Sequence, residues 1–387
     1  MKAVRASKKW LGLLPAAVSL SAGSAFADYA LNMRQGVTET SQAVYSLHMI
    51  LFWVCVVIGV VVFGAMIWSM IHHRKSKGAV AAQFHESTTM EIVWTIIPIV
   101  ILVSMAIPAT KTLLAMEDTS DADMTIKVTG IQWKWKYEYV DGEAAGVSFV
   151  SSLHPDHNEA RLLGAGQTTA SLEQQFGDQY LLDVDKPLVV PTGKKIRFLL
   201  TAADVIHAWW VPDLGWKKDA IPGFMNESWT QIDKPGTYRG QCAELCGKDH
   251  GFMPIVVVAK DPADYAAWAA EQKGAADAAA ASADREWSKD ELMAKGEQVY
   301  NTNCAACHMP NGQGVPPTFP GLVGSAIATG DAAAHIDIVM NGKGGTAMAA
   351  YKGILNDVDM AAVITYERNA WGNSASVVQP AAIKAAR

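Results

Sequence analysis

Four of the chain's five cysteines form two close pairs, and each pair sits among other metal-ligating side chains. The first lies in Cys242-Ala243-Glu244-Leu245-Cys246-Gly247-Lys248-Asp249-His250-Gly251-Phe252-Met253. Two thiols, an imidazole and a thioether thus share one short segment. Cys and Met are soft ligands that suit copper, and imidazole suits it as well. A Cys242–Cys246 disulfide and a structural zinc site are the plainer alternatives. Neither uses Met253, and neither accounts for His207 in the strand-like run Asp204–Trp210. Two cysteines argue against a mononuclear blue-copper site, which takes His₂Cys with an axial Met.

The second pair lies in Cys304-Ala305-Ala306-Cys307-His308, the c-type haem attachment pattern. Its spacing lets both thiols join one porphyrin while His308 reaches the iron. A disulfide redox pair is the alternative, disfavoured by the adjoining His and by the lack of a βαβ context. Met309, Met340, Met348 and Met360 are the candidate sixth ligands, and a Met there raises the haem potential. Met309 adjoins His308 and cannot reach the opposite haem face. Met360 falls inside the last helix, and Met340 ends an apolar run. The fifth cysteine, Cys55, reads as a small apolar packing residue in a membrane span.

The elements that carry these groups follow from the rest of the chain. Its 387 residues allow two or three domains. Half are hydrophobic and 18% charged, which excludes a mainly disordered chain. A formal charge of −6 disfavours a nucleic-acid partner. Residues 1–27 read as a signal peptide: a basic start at Lys2, Arg5, Lys8 and Lys9, an apolar stretch, then Ala25-Phe26-Ala27. After an outer-face segment (28–48), the uncharged runs Met49–Ile71 and Ile92–Thr110 are long enough to span a bilayer as a hairpin (49–115). Arg74, Lys75 and Lys77 place the connecting loop in the cytoplasm; both ends and everything after about residue 115 face outward.

Residues 116–260 change to alternating, β-branched runs with turn signals, as in Thr125–Thr129 and Lys194–Phe198, and predict a β-sandwich or small barrel. The stretch Val140–Asp183 has no clear period. Residues 261–289 read as an Ala-rich linker, in part helical. Residues 290–373 predict a mostly α domain whose clearest helix is Leu355–Asn369, with Asn356 as its cap and Asp359 in its first turn. Residues 374–387 read as a tail.

Several segments resemble subunit II of the haem–copper cytochrome c oxidases. They are Asp204–Asp213, Asp219–Gly223, Gln241–Pro254, the aromatic run Gln132–Tyr139 and the second-span entry Glu91–Pro98. Residues about 290 to 373 resemble small monohaem cytochromes c. The resemblance implies a two-helix membrane hairpin, an all-β cupredoxin-like Greek-key domain and an all-α cytochrome c domain. It implies a dinuclear mixed-valence copper centre (CuA), bridged by Cys242 and Cys246. His207 and His250 each bind one copper, with Met253 and the Glu244 carbonyl completing the set. The Glu244 side chain would touch magnesium at the boundary with subunit I. Trp133 matches an electron-entry tryptophan, although strand aromatics are often core. Glu91 matches the mouth of a proton path, although Thr88-Thr89-Met90-Glu91 also reads as a capping box. The family places its haem ligand in the loop before the final helix, which selects Met348, with Met340 as the alternative.

One function uses all these parts: electron entry to an oxidase, from an external cytochrome c-type donor through haem c and CuA to subunit I. There oxygen becomes water and protons are pumped. Subunit III is a further expected partner, and the expected location is a bacterial-type inner membrane. A nitrogen-oxide reductase would need a substrate metal site, and no further His cluster is seen. Glu91 and the hairpin sequence argue against a carrier or copper-storage protein, and the complete copper set against a quinol oxidase subunit.

Overall fold

The structure is a computed structural model that describes residues 32–163 and 168–387. The expected signal peptide lies outside the described residues. Residues 36–387 form one compact unit.

Two apolar helices, α1 (Glu39–His72) and α2 (Thr88–Glu117), each contain an 18-residue stretch, of mean hydropathy 2.9 and 2.4 respectively. Both are longer than the uncharged runs, because polar flanks continue the helices beyond a hydrocarbon core about 30 Å thick. The segment expected to lie outside the first span therefore already contains a helix start. Thr38 caps α1: its hydroxyl accepts the Ser41 N–H, while the Ser41 hydroxyl accepts the Thr38 N–H, each at 3.0 Å. The Thr38 hydroxyl also donates to the Leu214 carbonyl at 2.9 Å, which ties the helix to the β domain. The end of α2 is tied there too, through Trp229 to the Ala115 carbonyl (3.0 Å) and Lys218 to Glu117 (3.0 Å). Pro98 and Pro108 sit inside α2, as membrane helices allow. Cys55 is exposed on α1 rather than packed, so the expected packing is not seen among the described residues.

Among the described residues ten strands follow: β1 (Met124–Ile131), β2 (Lys134–Tyr139), β3 (Ser148–Ser151), β4 (Leu188–Pro191), β5 (Lys195–Ala202), β6 (His207–Val211), β7 (Trp216–Ala220), β8 (Asn226–Gln231), β9 (Gly236–Cys242) and β10 (Pro254–Lys260). They form two five-stranded sheets, ordered β3-β2-β1-β5-β8 and β4-β10-β9-β6-β7. Along β5 the residues alternate, with Ile196, Phe198, Leu200 and Ala202 buried. That period of two places one face in the core. Phe198 and Trp216 stack against Trp209, which is fully buried, at centroid distances of 5.3 and 5.0 Å.

The stretch without a clear period holds β3 and two short helices, α3 (Pro155–Leu163) and α4 (Thr169–Phe176). The Ala-rich linker is an ordered helix, α5 (Pro262–Ser282). Tyr265 and Ala269 are buried against the β domain, and Trp268 packs on Tyr139 at 5.4 Å. Beyond it Asp284 pairs with Lys384 at 2.6 Å. Alanine's helix propensity and these anchors make a strut of the linker.

The last region comprises α6 (Lys289–Asn303), α7 (Ala305–His308), α8 (Ala326–Thr329), α9 (Ala332–Asn341), α10 (Asp357–Asn369) and α11 (Pro380–Ala386). Asn356 caps α10, accepting the Asp359 N–H at 2.8 Å. The expected tail is instead part of this domain: Val378 and Ile383 are buried in its core, because their apolar side chains find the α10 face. Helices α6 and α10 cross where Gly296 meets Ala362, and a Cβ on Gly296 would lie 2.2 Å from the Ala362 carbonyl oxygen. Gly296→Ala is therefore expected to cost about 1–3 kcal/mol through overpacking. Denaturant unfolding followed at the haem Soret band checks this; an unchanged midpoint would contradict it.

Candidate metal centre

The first cysteine pair lies at one end of the second sheet. Cys242 ends β9, His207 begins β6 and pairs with Ala220 at the end of β7, and Met253 directly precedes β10. Three loops therefore converge there. The Cys242 and Cys246 sulfurs stand 3.9 Å apart, far beyond a bonded disulfide. His207 Nδ1 is 3.9 Å from Cys242 Sγ, and His250 Nδ1 is 3.5 Å from Cys246 Sγ. Met253 Sδ is 3.5 Å from Cys246 Sγ, and the Glu244 carbonyl oxygen is 3.3 Å from Cys242 Sγ. All the sequence-derived donors thus surround the two sulfurs. The cysteines, His207 and Met253 are nearly or fully buried.

The neighbouring Cys246, against the cost of burial and with help from His207, holds the Cys242 thiol below its ordinary value. The same neighbour, together with burial, pushes Cys246 up. Two sulfurs this close do not both ionise unless a cation lies between them. The soft donors fit copper.

Outer contacts orient the donors. Asp204 Oδ1 lies 3.0 Å from His207 Nε2, which turns Nδ1 toward Cys242. Asp204 also accepts the Gln132 and Val205 amides, each at 2.7 Å. Burial pushes its carboxyl up, but these hydrogen bonds outweigh burial and hold it below its ordinary value. A Cβ on Gly130 would lie 2.7 Å from the His207 ring, so only glycine leaves room there. The Cys246 carbonyl accepts from Gln132 Nε2 at 2.8 Å and from Trp133 Nε1 at 3.2 Å. Trp133 is half-buried and thus joined to the metal loop by a hydrogen bond. Asp204→Ala is expected to weaken copper retention roughly 10- to 100-fold, the usual cost of losing such a partner. A chelator competition assay checks it, and unchanged retention would refute it.

The haem motif starts where α6 ends. Cys304 and Cys307 bracket the first turn of α7, and burial pushes both thiols up, the reverse of an activated redox pair. His308 Nδ1 lies 2.8 Å from the Pro320 carbonyl, which leaves Nε2 for a metal. Met348 is half-buried in the loop before α10, at the edge of the domain core; Met340 is 1% exposed and packed inside it.

The two sites face each other. A cavity of about 570 Å³ lies between the domains, lined among others by Trp133 and Lys134 on one side and Ala306, Cys307 and Tyr351 on the other. Lys134 Nζ donates to Asn303 Oδ1 at 3.0 Å, and Lys248 Nζ to the Ala306 carbonyl at 3.4 Å. Burial holds the Lys134 ammonium below its ordinary value. Each lysine thus grips the residue just before a haem-motif cysteine. The sequence carried no separate signal for Lys134 or Lys248 beyond their nearness to Trp133 and, two residues away, Cys246.

Two expected residues lie apart from this constellation. The Glu244 side chain is exposed. Glu91 is exposed in the first turn of α2, where Ser87 is the N-cap and no side chain caps the helix. The expected capping box is not formed, because the helix begins at Thr88 itself and the Glu91 N–H bonds the Ser87 carbonyl at 3.0 Å.

Fold and site together join two apolar helices long enough to cross a membrane to a soft-donor cluster that lies beside a c-type haem motif. Profiles for known families match along the chain. Residues 27–112 match the transmembrane domain, and 124–260 the periplasmic domain, of cytochrome c oxidase subunit II. Residues 291–366 match subunit III of cbb3-type cytochrome c oxidase. A probable cytochrome c oxidase subunit 2 of Rickettsia bellii (strain RML369-C) is 38% identical over 60% of this chain and 80% of its own. Cytochrome c oxidase subunit 2 of Arabidopsis thaliana is 34% identical over 68% of this chain and 95% of its own. The crystal structure of the periplasmic domain of subunit II of cytochrome oxidase (CoxB) of Bradyrhizobium japonicum is 41% identical, covering 40% of this chain and 97% of that one, with a TM-score of 0.33. The chain belongs to the cytochrome c oxidase subunit II family and carries a cytochrome c domain in addition. It is a membrane subunit of an oxidoreductase complex with a periplasmic domain; its family implies CuA copper and its last domain haem c.

Proposed function

We propose that the chain is the electron-entry subunit of cytochrome c oxidase. It would pass electrons from a soluble or membrane-bound cytochrome c-type donor, through a covalent haem c and a CuA copper pair, to the haem–copper oxygen site of subunit I, coupled to proton pumping. The carrying observation is that Trp133, bonded to the metal loop, and Cys307, of the haem motif, line one cavity.

On this reading Cys242, Cys246, His207, His250, Met253 and the Glu244 carbonyl would hold the copper pair. Cys304 and Cys307 would attach the haem, with His308 and Met348 as the donors offered to its iron. Met340, committed to the core, is the weaker alternative. Buried, pre-oriented donors keep the site rigid, which lowers the reorganisation that electron transfer requires. Lys134 and Lys248 hold the haem domain against the copper face. Trp133 lines the cavity between the two domains.

At the copper end Ile206, Phe224, Met225 and Leu245 are 45%, 59%, 44% and 77% exposed. Apolar exposure of this kind marks a protein interface, and subunit I is the occupant we assign, with Glu244 offering a magnesium ligand at that boundary. Glu91, at an edge of the membrane, would open the proton path into the same partner. Subunit III completes the assembly in a bacterial-type inner membrane, with both termini outside. The division of labour is signal peptide 1–27, outer segment 28–48, hairpin 49–115, copper domain 116–260, strut 261–289, and haem domain from 290, with 374–387 as its last turn of chain.

Metal and haem analysis of the purified full chain, with optical and EPR spectra, tests the proposal. Two coppers with a mixed-valence signal and one covalent low-spin haem are expected. Zinc at the cysteine pair, or haem alone, would overturn it.

A further inference from the structure

The stretch between Val140 and Asp183 supplies no metal donor, yet one of its helices holds the metal loop. From α3, Arg161 reaches across to the turn that carries His250. Its two terminal nitrogens donate to Asp249, at 3.4 Å to Oδ1 and 3.2 Å to Oδ2. Its Nε donates to Asn158 Oδ1 at 2.9 Å. Its guanidinium carbon lies 4.2 Å from the centre of the Phe252 ring. The side chains of Arg161 and Asp249 are only 14% and 6% exposed.

A buried ion pair repays its desolvation only with good geometry and further hydrogen bonds. This one has the further bonds: beside a long two-pronged carboxylate contact it has an amide on the third nitrogen and an aromatic ring against the flat face. That combination fixes the orientation of a guanidinium as well as its position. The two residues it grips are Asp249 and Phe252, the direct chain neighbours of His250 and Met253. The turn between them, His250–Phe252, is a short 3₁₀ helix without a side-chain cap of its own. Its backbone is closed by the Phe252 N–H to the Asp249 carbonyl at 2.9 Å, and Arg161 adds the side-chain grip from outside the turn. His207, by contrast, is oriented separately by Asp204.

We infer that Arg161 is a positioning residue for the metal centre: it locks the Asp249–Met253 turn and so sets where the His250 imidazole and the Met253 thioether stand. The inference rests on the reading of His250 and Met253 as copper ligands. Arg161 itself touches no donor atom and acts through its neighbours.

The test compares wild type, Arg161→Met and Arg161→Lys in the full chain. In Arg161→Met, copper is expected to be lost to a chelator about 10- to 100-fold more readily, on the scale of other outer-contact losses. The copper hyperfine pattern and reduction potential change, while the haem Soret band stays as in wild type. Arg161→Lys rescues only in part, since an ammonium neither forks nor stacks. Before copper loading, amide exchange across residues 249–253 is expected to accelerate in Arg161→Met. Wild-type hyperfine pattern, potential and chelator resistance in Arg161→Met would overturn the inference. If that variant does not fold, Phe252→Leu decides, because it removes the ring face and keeps the ion pair: an unchanged hyperfine pattern and potential there overturn the inference equally. A wild-type chain that binds no copper pair would instead remove the ligand reading on which this inference stands.

Discussion

Cys246→Ser is expected to abolish the mixed-valence copper signal and electron entry together, while leaving one covalent haem per chain. Cys246 is the hub of the site. Its sulfur lies within 3.9 Å of Cys242 Sγ, His250 Nδ1 and Met253 Sδ, and its carbonyl holds both Gln132 and Trp133. Serine keeps the size and shape of the side chain but replaces a soft donor by a hard one, which disfavours copper. The loss of copper retention should exceed the roughly 100-fold that a lost outer contact costs at most. The haem domain has its own core and its own ligands, so its spectrum serves as the internal control. Copper-to-haem stoichiometry with EPR checks the outcome. Two coppers retained with their shared electron would remove Cys246 from the ligand set.

The second large effect concerns the gap between the sites. Trp133→Ala is expected to slow haem-to-copper electron transfer about 10²-fold, the scale on which a small loss of positioning costs rate. The indole lines the interdomain cavity and donates to the Cys246 carbonyl at 3.2 Å, so truncation removes both a bridge and a hydrogen bond. Trp133→Phe separates the two, since it keeps a ring and loses the N–H. Photoreduction of the haem, followed by the matched kinetics of haem reoxidation and copper reduction, reads the rate directly. A wild-type rate in Trp133→Ala, with both metal centres intact, would place the route elsewhere.

Trp133 also shows how two readings of one residue can both hold. A strand aromatic is commonly a packing residue, and Trp135, two positions on, is one: it is fully buried and packs edge-on against His207 at 5.8 Å. Trp133 is half-buried at the domain boundary, which alternation in sequence does not reveal. The Glu91 case runs the other way. The pattern Thr88-Thr89-Met90-Glu91 offers a cap on paper, but the helix starts one residue too early for it to form.

Local spacing determined much of this protein. Cys-x-x-Cys-His fits one porphyrin, and a Cys-x₃-Cys loop with His and Met close behind brings soft donors together over a few residues. Period-two runs and long uncharged stretches follow from the geometry of strands and bilayers. Those signals lie within single segments, so the chain states them directly. Tertiary structure alone decided the rest. It carried Val378 and Ile383 from an expected tail into a core, and it stiffened the Ala-rich linker by burying Tyr265 and Ala269. It set Lys134 against Asn303, 169 residues away, and Arg161 against Asp249, 88 residues away. Such contacts depend on which surfaces the folded domains present to each other, and burial then makes a single hydrogen bond or ion pair decisive. No local pattern in sequence encodes that pairing.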